Sequence, residues 1–172
     1  IVAQDHPAST QVHMSIALLA RLVEAVPAIA CLKEEGLPTP VRLTGLRKTM
    51  PREVPILTGL GALYGLFDLE HGSQGFNTGF AFPEALLSMV NSAKAGDWDA
   101  VRATYARFLP LIVFEQQPGL AVRKEILRRR GLISRGHVRH PGANLTAEAT
   151  DQLTRLLDWI LPDTDLTRPL VL

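Results

Sequence analysis

Short apolar runs alternate with amphipathic segments over the first 80 residues of the chain. Segments with the length of β-strands fall at 1–4, 28–32, 54–58 and 74–78, the first three mainly apolar and the last framed by glycines. The segments between them carry helical patterns and end signals, at 16–26, 38–49 and 60–69. Short buried strands that alternate with helices are typical of parallel sheets. The pattern therefore predicts an α/β fold built from four β/α repeats.

Beyond residue 82 the apolar pattern indicates helices alone. Pro83 suits the first turn of a helix, Gly96 suits a C-terminal cap, and Asp97 suits the N-cap of the next helix. We expect four helices here, at 83–96, 97–117, 120–130 and 146–161. A helical region thus follows the β/α repeats.

The charge balance narrows the classes of partner. The 172 residues carry 18 Lys and Arg against 17 Asp and Glu, a net charge of +1. This balance offers no basic surface of the kind that binds nucleic acid or an anionic membrane. Every apolar run falls short of the ~18 residues of a membrane span, and Cys31 has no partner for an intrachain disulfide. We expect a cytoplasmic protein with neither nucleic-acid nor membrane partners.

Metal and cofactor motifs do not stand out in the sequence. The five histidines lack a neighbouring acid or cysteine pattern at metal-ligand spacing. The chain also lacks a phosphate-binding glycine loop, a full dinucleotide fingerprint and a nucleophile elbow. The sequence therefore predicts no metal and no cofactor, and side chains must supply the chemistry.

Lys33 is the first candidate for that chemistry. It follows the apolar run 28–32, at the C-terminal edge of a parallel sheet where active sites lie. Free lysine has a pKa of about 10.4, and apolar surroundings lower that pKa and yield the neutral amine that attacks a carbonyl. The ordinary alternative is a solvated lysine paired with Glu34 or Glu35.

A series of short motifs connects the chain to one family of barrel enzymes. The motifs are Leu-Lys-Glu at 32–34, Leu-Thr-Gly at 57–59, Gly-Ser-Gln-Gly-Phe at 72–76, Ala-Gly-Asp at 95–97, Leu-Pro-Leu at 109–111, Val-Arg-Lys at 122–124 and Gly-Leu-Ile at 131–133. In their order and spacing the chain resembles the dihydrodipicolinate synthase and N-acetylneuraminate lyase family over nearly its whole length. The resemblance implies that Lys33 is a lysine that forms a Schiff base with a 2-oxo acid.

The same resemblance implies the C-terminal half of a (β/α)8 TIM barrel, entered at its fifth strand and followed by a C-terminal helical region. A complete barrel takes roughly 250 residues, so this chain has no room for eight strands. We expect residues 1–82 to form strands 5–8 of the barrel. Residues 83–172 then supply the last barrel helix and a helical extension. On this interpretation the N-terminal half of the barrel precedes the chain.

The chain departs from the family at the group that transfers protons. A tyrosine in a Tyr-Asn-x-Pro strand does this in the family, and alignment on Pro7 puts Gln4 at its position. Glutamine exchanges no proton at ordinary pH. Either His6, whose pKa lies near 6.5, or Asp5 replaces it, or substrate and water transfer the proton, or catalysis is lost. The synthase arginine that binds the aldehyde substrate matches Ser9, which argues against aspartate semialdehyde.

Further site residues are implied by the resemblance alone. They are residues of the barrel mouth expected to bind substrate: Gln4, Thr58, Gly75, Asn77 and Thr78. Glycines that frame a strand also serve ordinary turns, and that alternative stays open for Gly75.

Two classes of function remain open. The first is a lyase that acts through a Lys33 imine on pyruvate or a related 2-oxo acid. Its reaction is an aldol cleavage or condensation, or the dehydration of a 2-keto-3-deoxy sugar acid. The second is a non-catalytic 2-oxo-acid-binding or regulatory barrel that has lost the proton-shuttle tyrosine. The resemblance also implies a homo-oligomer, a tetramer, and the stripe Trp98, Tyr105 and Phe108 either forms a subunit contact or docks onto the barrel.

Overall fold

The computed structural model describes residues 1–172. Three short strands alternate with helices in the first part of the chain, and helices alone follow. The strands are β1 (Val2–Asp5), β2 (Cys31–Glu34) and β3 (Ile56–Thr58). The helices among them are α1 (Pro7–Thr10), α2 (Ile16–Ala25), α3 (Thr39–Thr49) and α4 (Gly65–Glu70). Four more helices follow: α5 (Pro83–Ala95), α6 (Trp98–Glu115), α7 (Leu120–Arg129) and α8 (Ala147–Ile160). The predicted α/β class is confirmed.

The strands form one parallel sheet in the order β1-β2-β3. Gln4 pairs with Lys33 and Lys33 with Leu57, so these three residues share a row across the sheet. Successive rows point to opposite faces. One face is buried against α2 and α3, with Leu32 2% and Ile56 0% exposed. The face that carries Lys33 is open.

The first two strands end later than predicted. β1 continues through Asp5, and α1 begins two residues further on. β2 begins only at Cys31 because the chain first completes a turn after α2, in which the Ile29 N–H donates to the Val26 carbonyl at 3.0 Å. Lys33 consequently lies inside the strand and not after its end, so the strand backbone fixes its direction.

The predicted fourth strand at 74–78 is wrong. The structure has only one parallel bridge there, between Thr58 and Phe76. Gly75 has a φ of 152°, outside the range of regular strands. Its carbonyl also accepts a hydrogen bond from the Ser73 hydroxyl at 2.7 Å. The segment is therefore a loop that is joined to β3 by several backbone hydrogen bonds but forms no regular strand of its own.

The predicted helix at 60–69 is divided in two. A 3-10 turn covers Leu60–Ala62, and α4 begins only at Gly65. Leu60, Gly61 and Ala62 all have positive φ, at 49°, 67° and 64°. An α-helix of L-residues excludes such values. The turn leaves Leu60 at the edge of the sheet where the candidate site lies.

The C-terminal helices follow the end signals in the sequence. Asp97 caps α6 by accepting from the Ala100 N–H at 3.0 Å, and Thr146 caps α8 by accepting from the Ala149 N–H at 3.2 Å. Gly96 ends α5 with a φ of 77°. None of the helices combines the length and apolar character needed to cross a bilayer.

The buried apolar side chains form two separate clusters. The smaller one, of eight residues, lies between the sheet and helices α2 and α3. The larger one, of 19 residues, joins α5, α6, α7 and α8 to the segment around Phe80–Phe82. Because apolar burial stabilises by ~25 cal/mol per Å2, the helical region has the larger share of the stabilising contacts.

The aromatic stripe of α6 belongs to the larger cluster. Tyr105 is 7% and Phe108 1% exposed. The Tyr105 hydroxyl donates to the Leu63 carbonyl at 2.5 Å, and the Phe108 ring lies 5.9 Å from that of Phe82. The prediction of a subunit contact is therefore wrong for Tyr105 and Phe108, which dock within their own chain.

Candidate active site

Lys33 lies on the open face of the sheet, near the C-terminal edge. Gln4 and Leu57 flank it in the same row. Its side chain is 18% exposed, and Nζ lies 3.3 Å from Glu35 Oε2. The strand thus directs the amine toward a carboxylate two residues further along.

The Glu35 carboxylate brings the predicted catalytic residues together. Gln4 Nε2 donates to Oε2 at 2.5 Å, and His6 Nδ1 lies 3.9 Å from the same oxygen. The Leu60 N–H donates to Oε1 at 2.9 Å. Glu35 is 5% exposed. One buried carboxylate therefore contacts Gln4 and Lys33 directly and has His6 at its margin.

Glu35 is ionised at neutral pH. Burial raises the pKa of its carboxyl, but hydrogen bonds from the Leu60 N–H and the Gln4 amide, with the charge of Lys33, outweigh burial and hold the pKa below its ordinary value. A carboxylate in this state accepts protons. It lies close enough to Lys33 to exchange a proton with the amine or with an atom bound beside it.

Gly59 provides the space in which Lys33 and Glu35 meet. A Cβ at this position would lie 1.8 Å from Glu35 Oε1 and 2.9 Å from Lys33 Cε. Any other residue would therefore displace the carboxylate. The next residue, Leu60, holds a φ of 49° while its N–H binds that carboxylate. Unfavourable backbone angles of this kind cluster at functional sites.

Two of the candidate residues lie on the opposite face of the sheet. Asp5 and Thr58 share the row of Glu34, behind the row of Lys33. Thr58 is 1% exposed, and its hydroxyl lies 3.5 Å from the hydroxyl of Ser73. The structure thus argues against substrate binding by the Thr58 side chain, and against Asp5 as the replacement for the tyrosine.

The residues predicted at the last strand lie in the loop beside β3. The Asn77 N–H donates to the Thr58 carbonyl at 2.8 Å, and the Gly75 carbonyl accepts from the Thr58 N–H at 3.1 Å. Gly75, Asn77 and Thr78 form no hydrogen bond with Lys33 or Glu35. Their role in substrate binding stays a prediction.

From the sequence, Glu35 is expected only as an ion-pair partner of Lys33. The sequence does indicate that Glu35 lies beside Lys33, because residues two apart in a strand share a face and Glu35 follows Lys33 by two. The search for a proton-transfer group was confined to the strand of the missing tyrosine, at Asp5 and His6. The group that the structure places beside Lys33 comes from the neighbouring strand end.

A cavity of about 300 Å3 opens beside Glu35. Gln11 and His13, from the loop before α2, line it together with Gly36 and Arg42. Hydrogen-bonding groups thus adjoin the ionised carboxylate, as a hydroxylated ligand requires. No three His, Cys, Asp or Glu side chains converge in a way that would hold a metal ion.

The fold and the site together define a parallel α/β protein with a lysine and a carboxylate paired at the C-terminal edge of its sheet. The chain matches the Dihydrodipicolinate synthetase family over residues 2–160. It belongs to that family, which confirms the resemblance in the motifs.

Three similar proteins are a named enzyme and two proteins of known crystal structure. The chain is 30% identical over 158 residues to L-2-keto-3-deoxyarabonate dehydratase of Azospirillum brasilense, which covers 89% of this chain and 50% of that protein. It is 36% identical to dihydrodipicolinate synthase from Rhodopseudomonas palustris, with a TM-score of 0.88 over 91% of this chain and 54% of that one. For a putative dihydrodipicolinate synthetase from Pseudomonas aeruginosa the identity is 26% and the TM-score 0.82, over 92% and 55%. The chain thus spans about half the length of these relatives.

Proposed function

We propose that the protein is a Schiff-base-forming lyase that dehydrates a 2-keto-3-deoxy sugar acid, with Lys33 as the nucleophile and Glu35 as the proton-transfer group. The observation that carries the proposal is the 3.3 Å separation of Lys33 Nζ and Glu35 Oε2 in a buried site. The name of the Azospirillum brasilense relative, a keto-deoxy acid dehydratase, supports the choice of substrate class.

The reaction begins at the keto carbon of the substrate. Glu35 takes a proton from Lys33, and the neutral amine adds to C2 to give a carbinolamine. Glu35 then returns the proton to the C2 hydroxyl, which leaves as water and gives the protonated imine. The protonated imine nitrogen then makes the C3 proton acidic. Glu35 removes that proton, and the electron pair passes through the enamine to expel the C4 hydroxyl, which takes up a proton and leaves as water. Hydrolysis of the imine frees Lys33.

In these steps Gln4, at the position of the family's tyrosine, has a positioning role. Gln4 exchanges no proton, but its amide donates to Glu35 at 2.5 Å and fixes the carboxylate beside Lys33. His6, at 3.9 Å, is the second candidate for proton transfer to the leaving hydroxyl. The cavity lined by Gln11 and His13 is the proposed position of the hydroxylated end of the substrate.

The complete site requires more than the three strands. We propose that residues 1–82 and 83–172 are the second half of a (β/α)8 barrel and its helical extension, and that a complementary half covers the open face of the sheet. The homotetramer and the cytoplasmic location stay predictions. Gly75, Asn77 and Thr78 are proposed to contact the substrate through their backbone.

The first test is covalent trapping. Full-length protein incubated with pyruvate and borohydride is expected to gain one reduced adduct per site, mapped by peptide mass to Lys33. Lys33→Ala should remove the adduct, whereas Lys48→Ala, on the exposed side of α3, should not. An adduct absent from the wild type, or present equally in Lys33→Ala, contradicts the proposal.

The same proteins then separate turnover from binding. With a set of 2-keto-3-deoxy sugar acids, Glu35→Gln should lower the dehydration rate ~100-fold or more, the usual contribution of a general base. Lys33 should still be trapped, but more slowly, because the amine has lost the group that takes its proton. Glu24→Gln, exposed on α2, is the matched control. Cleavage to pyruvate and an aldehyde would instead indicate an aldolase.

A non-catalytic binding or regulatory barrel is the second candidate function. It is favoured by Gln4 at the position of the family's tyrosine. Trapping with pyruvate at Lys33 without turnover of any sugar acid supports this candidate over the lyase.

A further inference from the structure

A buried ion cluster lies behind the candidate site, on the face of the sheet that packs against α3. Arg42 Nη2 donates to Asp5 Oδ2 at 2.5 Å and to Glu34 Oε2 at 3.1 Å, while its Nε donates to Glu34 Oε1 at 2.8 Å. Asp5 is 2% and Glu34 1% exposed. One guanidinium from a helix thus joins the ends of two adjacent strands.

The cluster alternates with the residues of the site along both strands. Asp5 stands between Gln4 and His6, and Glu34 between Lys33 and Glu35. Asp5 also pairs with Glu34 in the sheet register, as Gln4 does with Lys33. Because successive residues point to opposite faces, Arg42 holds the back of the same backbone that presents the site at the front.

The cluster also reaches the segments that follow the two strands. Arg42 Nη2 donates to the Met14 carbonyl at 3.1 Å, in the loop that leads to α2. Glu34 Oε1 accepts from the Gly36 N–H at 2.6 Å, which fixes the turn immediately after Glu35. Arg42 thereby restrains the backbone on both sides of Glu35.

The composition of the cluster is poorly suited to stability alone. Two buried carboxylates share one cation, and Asp5 Oδ1 has no hydrogen-bond partner. Apolar side chains of similar volume often stabilise a protein more than a buried ion cluster does. The geometry that the cluster imposes therefore offers a better account of it than its contribution to stability.

We infer that Arg42 is a positioning residue for imine chemistry, because it ties the ends of β1 and β2 together and so sets the distance between Lys33 Nζ and the Glu35 carboxylate. This inference rests on the proposed function. Arg42 acts through the two strands, and Asp5 and Glu34 serve as the points of attachment.

The experiment measures the rate of borohydride-trapped imine formation with pyruvate in the full-length protein. Arg42→Met should lower the maximal trapping rate at least 10-fold while the half-saturating pyruvate concentration changes less than 3-fold. Arg42→Lys keeps the positive charge but lacks the planar guanidinium that donates to both carboxylates, so it should recover only part of the rate. Thermal melts of each variant record stability separately.

Two further variants separate positioning from stability. Arg52→Met removes hydrogen bonds to the carbonyls of Val26, Pro27 and Ile29, at the other end of β2. It should lower the melting temperature and leave the trapping rate within 2-fold. The triple variant Asp5→Asn, Glu34→Gln, Arg42→Met has no unpaired buried charge, so it should recover stability but not the rate. It also provides the test if Arg42→Met fails to fold.

The outcomes distinguish this inference from the proposed function. No trapping in the wild type overturns the proposed function and the inference with it. Wild-type trapping with an unchanged rate in folded Arg42→Met overturns the inference alone. So does a triple variant in which rate and stability return together, because the cluster would then act only on folding.

Discussion

At the scale of single residues, the site depends on how closely Gly59 allows the chain to approach Glu35. The missing side chain leaves room for a carboxylate that four groups surround: Gln4, Lys33, His6 and the Leu60 N–H. These contacts set both the position and the ionisation of Glu35. A substitution at Gly59 therefore acts on the proposed chemistry without replacing a charged residue.

We predict that Gly59→Ala abolishes measurable turnover and lowers the trapping rate with pyruvate at least 10-fold. The new methyl group would lie 1.8 Å from Glu35 Oε1, so the carboxylate must leave its contact with Lys33. Gly136→Ala is the control, since its nearest neighbour is a flexible carboxylate oxygen at 3.2 Å. Circular dichroism should show both variants folded. Turnover retained in Gly59→Ala would contradict the assigned geometry.

The sequence puts Lys33 near the C-terminal edge of the sheet, where the structure has it, and its catalytic role stays a prediction. Lys33 was identified because an apolar run precedes it and the family motif includes it. Glu35 was not identified as a proton-transfer group, because its role depends on a turn at Leu60 with a positive φ that an apolar helix pattern conceals. Thr58 was misplaced because its face follows from sheet register, which one sequence does not define.

At the scale of elements, helices were easier to predict than strands. The C-terminal helices have caps that mark their ends, such as Asp97 and Thr146. The strands are only three or four residues long. A turn of that length can contain as many apolar residues, so the apolar pattern does not distinguish a strand from a turn. The segment 74–78 shows this directly, since the φ of 152° at Gly75 interrupts the strand predicted there.

Helices α6 and α7 share a buried ion pair whose stability depends on pH. Glu115 is 0% exposed, accepts from Arg123 Nε at 3.1 Å and has one oxygen without a partner. Burial raises its pKa to about 7, despite the attraction of Arg123. Because the folded pKa exceeds the ordinary one, the native state binds more protons than the unfolded state. The free energy of unfolding therefore falls as the pH rises from about 4.5 to about 7.

Glu115→Gln is expected to remove this dependence. Relative to wild type, the variant should gain stability between pH 5.5 and pH 8 by about 2 kcal/mol, since about 1.5 pH units of this interval lie below the folded pKa of about 7. Glu125→Gln is the control, because Arg128 and Arg129 outweigh burial and hold the Glu125 pKa at about 2. Its difference from wild type should stay constant over this range. Urea titrations at the two pH values measure both, and parallel behaviour of the two variants would refute the assignment.

At the scale of the whole molecule, the two apolar clusters stabilise the fold, and the candidate site lies outside both of them. The larger cluster lies among the helices that follow Phe80, whereas the smaller one supports the sheet from behind. The site lies on the face that neither cluster covers. The family motifs predict a half-barrel followed by a helical region, whereas apolar periodicity alone indicates a parallel sheet without saying how much of it one chain contains.

The open face of the sheet also contains the only thiol of the chain. Cys31 lies two residues before Lys33 in β2 and so points to the same side, and burial raises the pKa of its thiol. A maleimide therefore reports whether anything covers that face. On the proposal that a complementary half-barrel covers this face, we predict slow but complete alkylation of Cys31 in residues 1–172 expressed alone, and strong protection when that half is present. Equal alkylation rates would contradict a covering half-barrel. The alkylation rate of Cys31 thus measures how much of the barrel surrounds Lys33.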